Sequence, residues 1–189
     1  MRKSILCFIA AGIFISCNNE SKPAETAENK DKKADSTHAE PPPGNLPYTA
    51  VYSSQFTIGD QKNAEKILTV FKQWDDNKLE EGKSMFADSV EFYANNWIFR
   101  GSNDSFYTVS KAQRNNYKEV KTVVHAWIPV HSTDKNEDWV LIWSTAYTTD
   151  MKGKVDSASY QDTWKLNKDG KFDVIYDFEA KSPQPAKKK

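Results

Sequence analysis

Residues 155–180 read VDSASYQDTWKLNKDGKFDVIYDFEA, and this stretch decides the fold. Val155 to Leu166 carries the polar–apolar alternation of a half-buried strand. Asn167-Lys168-Asp169-Gly170 is turn chemistry, with a glycine free to take positive φ. Phe172 to Ala180 alternates again. Two long strands joined by so short a connection pair antiparallel.

Working back from there, the same signals repeat. Trp139 to Thr149 predicts a strand that closes at the turn Asp150-Met151-Lys152-Gly153. Val120 to His131 predicts another, with Asp134 to Asp138 as the polar loop between them. The last third is therefore an antiparallel meander. Before it the period changes. Asp60 is a helix N-cap candidate, and Ala64, Ile67, Leu68 and Phe71 recur at helical spacing, with Lys62, Glu65, Lys66 and Lys72 opposite. Asp76-Asn77 breaks this helix, and a short second helix runs from Lys78 to Phe86, weakened by Gly82. Asp88 to Ala94 reads as a strand, with Asp88 bonding the turn before it, and Arg100-Gly101 as a turn. Ser102 to Glu119 contains a polar helix, and Tyr48 to Ile58 is an extended arm. Helices first and strands last predict an α+β domain over residues 48–181, a curved antiparallel sheet with helices packed on its concave face.

The rest of the chain carries targeting signals. Arg2-Lys3 followed by the apolar run Ile5 to Ile15 is a secretory leader in charge and length, too short for a bilayer span. It closes on Ser16-Cys17, and Phe14-Ile15-Ser16-Cys17 resembles a bacterial lipobox, so residues 1–17 are expected to be a lipoprotein signal with Cys17 as the acylated residue. The implied partner is membrane lipid, and the implied location is the bacterial cell envelope, at the outer membrane. Residues 18–47 are polar and contain Pro41-Pro42-Pro43, which reads as a disordered tether. Residues 182–189 form a basic tail.

Composition excludes several classes. Lys+Arg 26 balance Asp+Glu 26, which argues against nucleic acid. Both cysteines, Cys7 and Cys17, lie in the leader, so the domain forms no internal disulfide. His38 is in the tether and His125 and His131 share one strand without a third ligand, so no metal is expected. No glycine-rich phosphate loop and no Gly-x-Ser-x-Gly elbow occur, and no cofactor is expected.

The order of motifs resembles one superfamily. The opening helix ends in Trp74-Asp75; Phe86-Ala87-Asp88-Ser89-Val90-Glu91-Phe92 follows; Gly101 precedes a helix; and the long strands lead to Trp164-Lys165-Leu166-Asn167-Lys168-Asp169-Gly170-Lys171-Phe172. Over roughly one domain's length this is similar to the SnoaL-like branch of the nuclear-transport-factor-2-like proteins, which includes polyketide cyclases and ketosteroid isomerases. The resemblance implies a cone with an open, apolar end and a homodimer through the outer sheet face. In catalytic members a buried carboxylate acts as base, and some SnoaL-like cyclases place an acid/base Asp near the end of the last strand, where Asp177 stands here.

Strand parity supplies the site candidates. Leu141, Trp143, Thr145 and Tyr147 share a face; so do His125 and Trp127; Tyr160, Asp162 and Trp164; and Val174, Tyr176 and Phe178. Asp177 falls with Asp173 and Ile175. If the four faces meet on the concave side, His125 and Asp162 are polar groups among aromatics. The catalytic candidates are therefore His125, Asp162 and Asp177, with none assigned. The ligand-binding candidates are Trp97, Trp127, Trp143, Tyr147, Tyr160, Trp164 and Tyr176. Three functional readings stand. The leading one is a membrane-tethered, non-catalytic domain that binds a small apolar or sugar-like ligand in an aromatic pocket. The others are a small isomerase, cyclase or dehydratase using a pocket carboxylate or histidine, and a dimeric structural or docking module.

Overall fold

The computed structural model describes residues 44–95 and 97–181. The expected leader, Cys17, nearly all of the tether and the basic tail lie outside the described residues. The elements run β1 (Phe56–Ile58), α1 (Gln61–Asp75), α2 (Leu79–Gly82) continued by a 3-10 turn (Lys83–Met85), β2 (Phe86–Ala94), β3 (Trp97–Ser102), α3 (Asn103–Arg114), β4 (Tyr117–Ser132), β5 (Glu137–Asp150), β6 (Val155–Leu166) and β7 (Phe172–Lys181).

Local chemistry explains the boundaries. The Asp60 carboxylate accepts the Lys62 backbone N–H at 2.9 Å and starts α1. Asn77 takes φ 57 and ends that helix, while the Lys78 N–H reaches back to the Gln73 carbonyl at 2.7 Å. Ser102 caps α3 by accepting the Ser105 N–H. In the turn between β6 and β7, the Asn167 side chain accepts from Asp169 and Lys171, and Gly170 takes φ 68.

The seven strands form one sheet in the order β1-β4-β5-β6-β7-β2-β3. The predicted meander is present as β4 to β7, antiparallel throughout. Beyond it, β2 lies parallel to β7, and β3 returns antiparallel to β2. Arg100-Gly101 is not a turn: both residues lie inside β3, and the chain reverses after Ala94 instead. Asp88 is an exposed residue of β2 rather than a turn cap. Bulges interrupt the ladder between Val124 and Ala126 on β4 and between Phe172 and Val174 on β7, opposite Lys165 and Leu166. Bulges bend strands, and the sheet is curved and unclosed. α1 packs on β4 and β5, and α3 on β2 and β3. The core between helices and sheet is Ala64, Ile67, Phe86, Val90, Phe106, Val140, Ile142, Trp164, Leu166, Phe172 and Ile175. Each fully buried large aliphatic or aromatic side chain here contributes roughly 1.5–3 kcal/mol from leaving water.

Candidate functional site

Register converts the strands into rungs, because partners in an antiparallel ladder project to the same face. The deepest rung on the inner face joins Pro129, Val140, Trp164 and Ile175. The next joins Trp127, Ile142, Asp162 and Asp177, and continues through Ala94 to Trp97. The third joins Val124, Ser144, Tyr160 and Glu179, and the fourth Thr122, Ala146, Ala158 and Lys181. Below Asp162 the face is solid core. Above it the helices stand away from the sheet and leave a cavity of about 680 Å³. That volume suits a small organic molecule.

The two walls of this cavity differ. The helix side is apolar and aromatic, with Val70, Phe71 and Trp74 from α1 and Phe106, Tyr107 and Val109 from α3. The sheet side is polar, with Thr122, Ser144, Thr148, Tyr160, Asp162, Asp177 and Glu179. Phe86, Phe92 and Trp97 complete the lining around β2 and β3.

Asp162 and Asp177 are direct cross-strand partners on β6 and β7. Such partners hold their Cβ atoms roughly 5 Å apart. Asp162 is only 3% exposed, and burial, then the charge of Asp177, drives its carboxyl well above the usual carboxylate range. The Trp164 indole N–H opposes that rise weakly; it has no hydrogen-bond partner within 3.5 Å. Burial, then Glu179, pushes Asp177 up to about 6. No cationic side chain offsets either rise. Two carboxylates this close in an apolar cavity do not both ionise readily. The Tyr160 hydroxyl is pushed up too, by burial first and by Glu179 second, and stays protonated as a donor. Lys83 reaches the cavity lining, but its ammonium is bound to Asp104 at 2.8 Å.

The parity reading was right for β6 and inverted for its neighbours. Tyr160, Asp162 and Trp164 face the cavity, as does Asp177. On β5 the inward residues are Ile142, Ser144 and Ala146, so Leu141, Trp143, Thr145 and Tyr147 lie on the outer face. On β7, Tyr176 with Val174 and Phe178 also faces outward, where Tyr176 stacks on Tyr93 at 5.0 Å between ring centroids. His125 and Trp127 do not share a face. The bulge between Val124 and Ala126 inserts a residue and reverses the alternation. His125 is thereby outside, its Nε2 2.9 Å from Thr145 Oγ1, so no His125–Asp162 pair forms. Trp127 is on the inner side but beyond the cavity lining, 47% exposed, its Nε1 donating to Gln61 at 3.4 Å. Trp97 lines the cavity and is 43% exposed.

Sequence reasoning missed Glu179 and Ser144. Glu179 is two residues beyond Asp177 on the same strand, so parity alone brings it in once Asp177 is turned inward. Among the described residues, no group of three His, Cys, Asp or Glu side chains converges as a metal site.

No family model matches the sequence, and no curated protein matches it. Solved structures do match in shape. A nuclear-transport-factor-2-like protein of unknown function from Exiguobacterium sp. 255-15 aligns with TM-score 0.53 and 16% identity, over 62% of this chain and 99% of that one. An LEH-like epoxide hydrolase from M. tuberculosis aligns with TM-score 0.52 and 9% identity, over 64% of this chain and 84% of that one. A SnoaL-like protein from Jannaschia sp. CCS1 assigned as a polyketide cyclase aligns with TM-score 0.51 and 11% identity, over 64% and 86%. At these identities the likeness speaks for architecture alone. A bent, unclosed sheet wrapped over three helices, shared with these structures, gives the chain the nuclear-transport-factor-2-like fold, with SnoaL-like proteins among its neighbours.

Proposed function

We propose that the domain binds a small organic molecule in the sheet–helix cavity and moves a proton on it, with Asp162 and Asp177 as acid and base. One observation carries this reading: two cross-strand carboxylates, without a cationic partner, at the floor of an otherwise aromatic cavity. In a shared-proton pair one member is a carboxylate and the other a carboxylic acid. The first takes a proton from substrate or water, and the second gives one to a developing oxyanion or leaving oxygen. Tyr160, held neutral, supplies a further donor one rung above. The ligand-holding half of the binding-domain expectation has the cavity in its support. The non-catalytic half has the carboxylate pair against it. The neighbours named as an epoxide hydrolase and a cyclase make epoxide opening and ring closure reasonable first assays.

The test is turnover of the purified protein on a panel containing an aryl epoxide and a β,γ-unsaturated ketone. Activity is expected to titrate with an apparent pKa near the value of about 6 held by Asp177. Asp162→Asn and Asp177→Asn are each expected to lower it by roughly 10²–10⁴. Turnover that is indifferent to both substitutions overturns the reading.

We also propose that Cys17 is acylated and that the domain works from a membrane surface. Palmitate-analogue labelling that is absent from the wild type, or retained in Cys17→Ala, refutes this. A homodimer through the outer sheet face is proposed on the half-exposed Val123, Trp143, Tyr147 and Phe178 found there.

A further inference from the structure

The cavity has a charge pattern that the acid–base reading does not use. Three carboxylates face it from the sheet: Asp162 and Asp177 on one rung, and Glu179 on the next. The one lysine in its lining is already engaged by Asp104. Asp162 is a nearly fully buried acid in this lining, and the donor beside it is the neutral Trp164 indole N–H, with no cation to balance its charge. A structural acid in such a place is normally paired or hydrogen-bonded, because burying an unpaired charge is costly. This one lacks a cationic partner and faces the space a ligand would occupy. The opposite, helix wall carries the rings of Phe71 and Phe106, and Phe86 and Trp97 add theirs from β2 and β3. Ring faces attract cations, and more strongly when water is excluded. The carboxylates do not converge as metal ligands.

We infer that the ligand of this cavity is an amphiphilic organic cation, an ammonium head on an apolar or aromatic body. The head sits against Asp162, Asp177 and Glu179, and the body fills the space under α1 and α3. This rests on the reading of the cavity as a small-molecule site and names a ligand class for it, one that displaces the shared proton rather than using it. Entry of the cation stabilises both carboxylates in their ionised form. The proton shared by Asp162 and Asp177 then leaves to solvent, so binding releases a proton near neutral pH. Neutral ligands of the same shape release none.

The experiment compares phenethylamine, protonated near neutral pH, with its uncharged counterpart 2-phenylethanol, by calorimetry in two buffers of different ionisation enthalpy and by quenching of tryptophan fluorescence. The amine is expected to bind roughly tenfold tighter than the alcohol, with proton release. In Glu179→Gln and in Asp177→Asn that preference is expected to fall to about threefold or less. Glu179 is only partly buried, so its variant remains informative even if a floor variant folds poorly. Equal affinity for the two probes, including no measurable binding of either, overturns the inference. So does an amine preference retained in both variants. The two readings fail separately. Amine preference without turnover on any substrate removes only the proton-transfer chemistry, and turnover of neutral substrates without amine preference removes only the ligand class.

Discussion

Asp177 and Asp162 give the protein an unusual pH dependence. A carboxyl raised from 3.8 in the open chain to about 6 in the fold binds more proton when folded, throughout that window. Its contribution to stability is therefore complete below 3.8 and is lost as pH climbs through about 6. Other carboxylates act in the opposite sense: Glu91, beside Tyr93 and Arg100, is held below its usual range. The clean measurement is therefore a difference. Thermal melts of wild type and Asp177→Asn across this window are expected to diverge, the wild type losing roughly 2 kcal/mol more than the variant as pH rises. Parallel curves would show that Asp177 titrates normally. Asp162→Asn is expected to stabilise the protein by roughly 1–2 kcal/mol near neutral pH while lowering turnover, because it removes a buried ionisable group that the fold leaves without a cationic partner. A destabilised Asp162→Asn variant would indicate a structural partner for that carboxylate. At this scale the sequence was legible where a strand was regular. β6 carries no inserted residue, so Tyr160, Asp162 and Trp164 could be grouped correctly. On β4 a single inserted residue separates His125 from Trp127, and composition gives no sign of it.

Helices and long strands announce themselves by period; the contacts that lock them do not. Arg114 ends α3 and is buried, with its guanidinium donating to the carbonyls of Trp74 at 2.7 Å, Asp75 at 2.9 Å and Tyr117 at 2.8 Å. Two of these carbonyls belong to the last turn of α1, which thereby gains the donors its backbone lacks. The Asp75 carboxylate accepts in turn from the Thr122 backbone N–H at 2.9 Å and its hydroxyl at 2.8 Å, tying α1 to β4 beside the cavity. Arg114→Ala is expected to cost roughly 2–4 kcal/mol in urea unfolding, since three buried acceptors lose their donor. A cost below about 1 kcal/mol would mean that water replaces it. Gly59 is a second lock. A Cβ there would stand 3.0 Å from the Val130 backbone, so Gly59→Ala is expected to lower the melting temperature by pushing the start of α1 off β4. β3 stayed hidden because Arg100-Gly101 carries the residues of a turn. Gly101 is instead packed beside the Phe99 ring, where an added Cβ would meet it at 2.8 Å.

At the scale of the molecule, the order of strands was half legible. A meander follows from short turns alone, whereas the parallel pairing of β2 with β7 joins segments far apart in sequence, and no local pattern encodes it. The outer face of that sheet carries Trp139, Tyr176 and Phe178 as a run of stacked rings, beside Trp143 and Tyr147. Sedimentation is expected to find a dimer at micromolar concentration, converted to monomer by Tyr147→Glu with the cavity unaffected. A wild-type monomer would count against pairing through this face.

The place of β7 also has a consequence for biosynthesis. Among the described residues it is the last strand in sequence, yet it sits inside the sheet between β6 and β2. While the ribosome still holds residues 172–181, the β2–β3 hairpin has no neighbour to join, and the floor of the cavity lacks one of its acids. The nascent sheet therefore stays unfinished until residues 172–181 emerge, so its two halves can join only late in the synthesis of this domain.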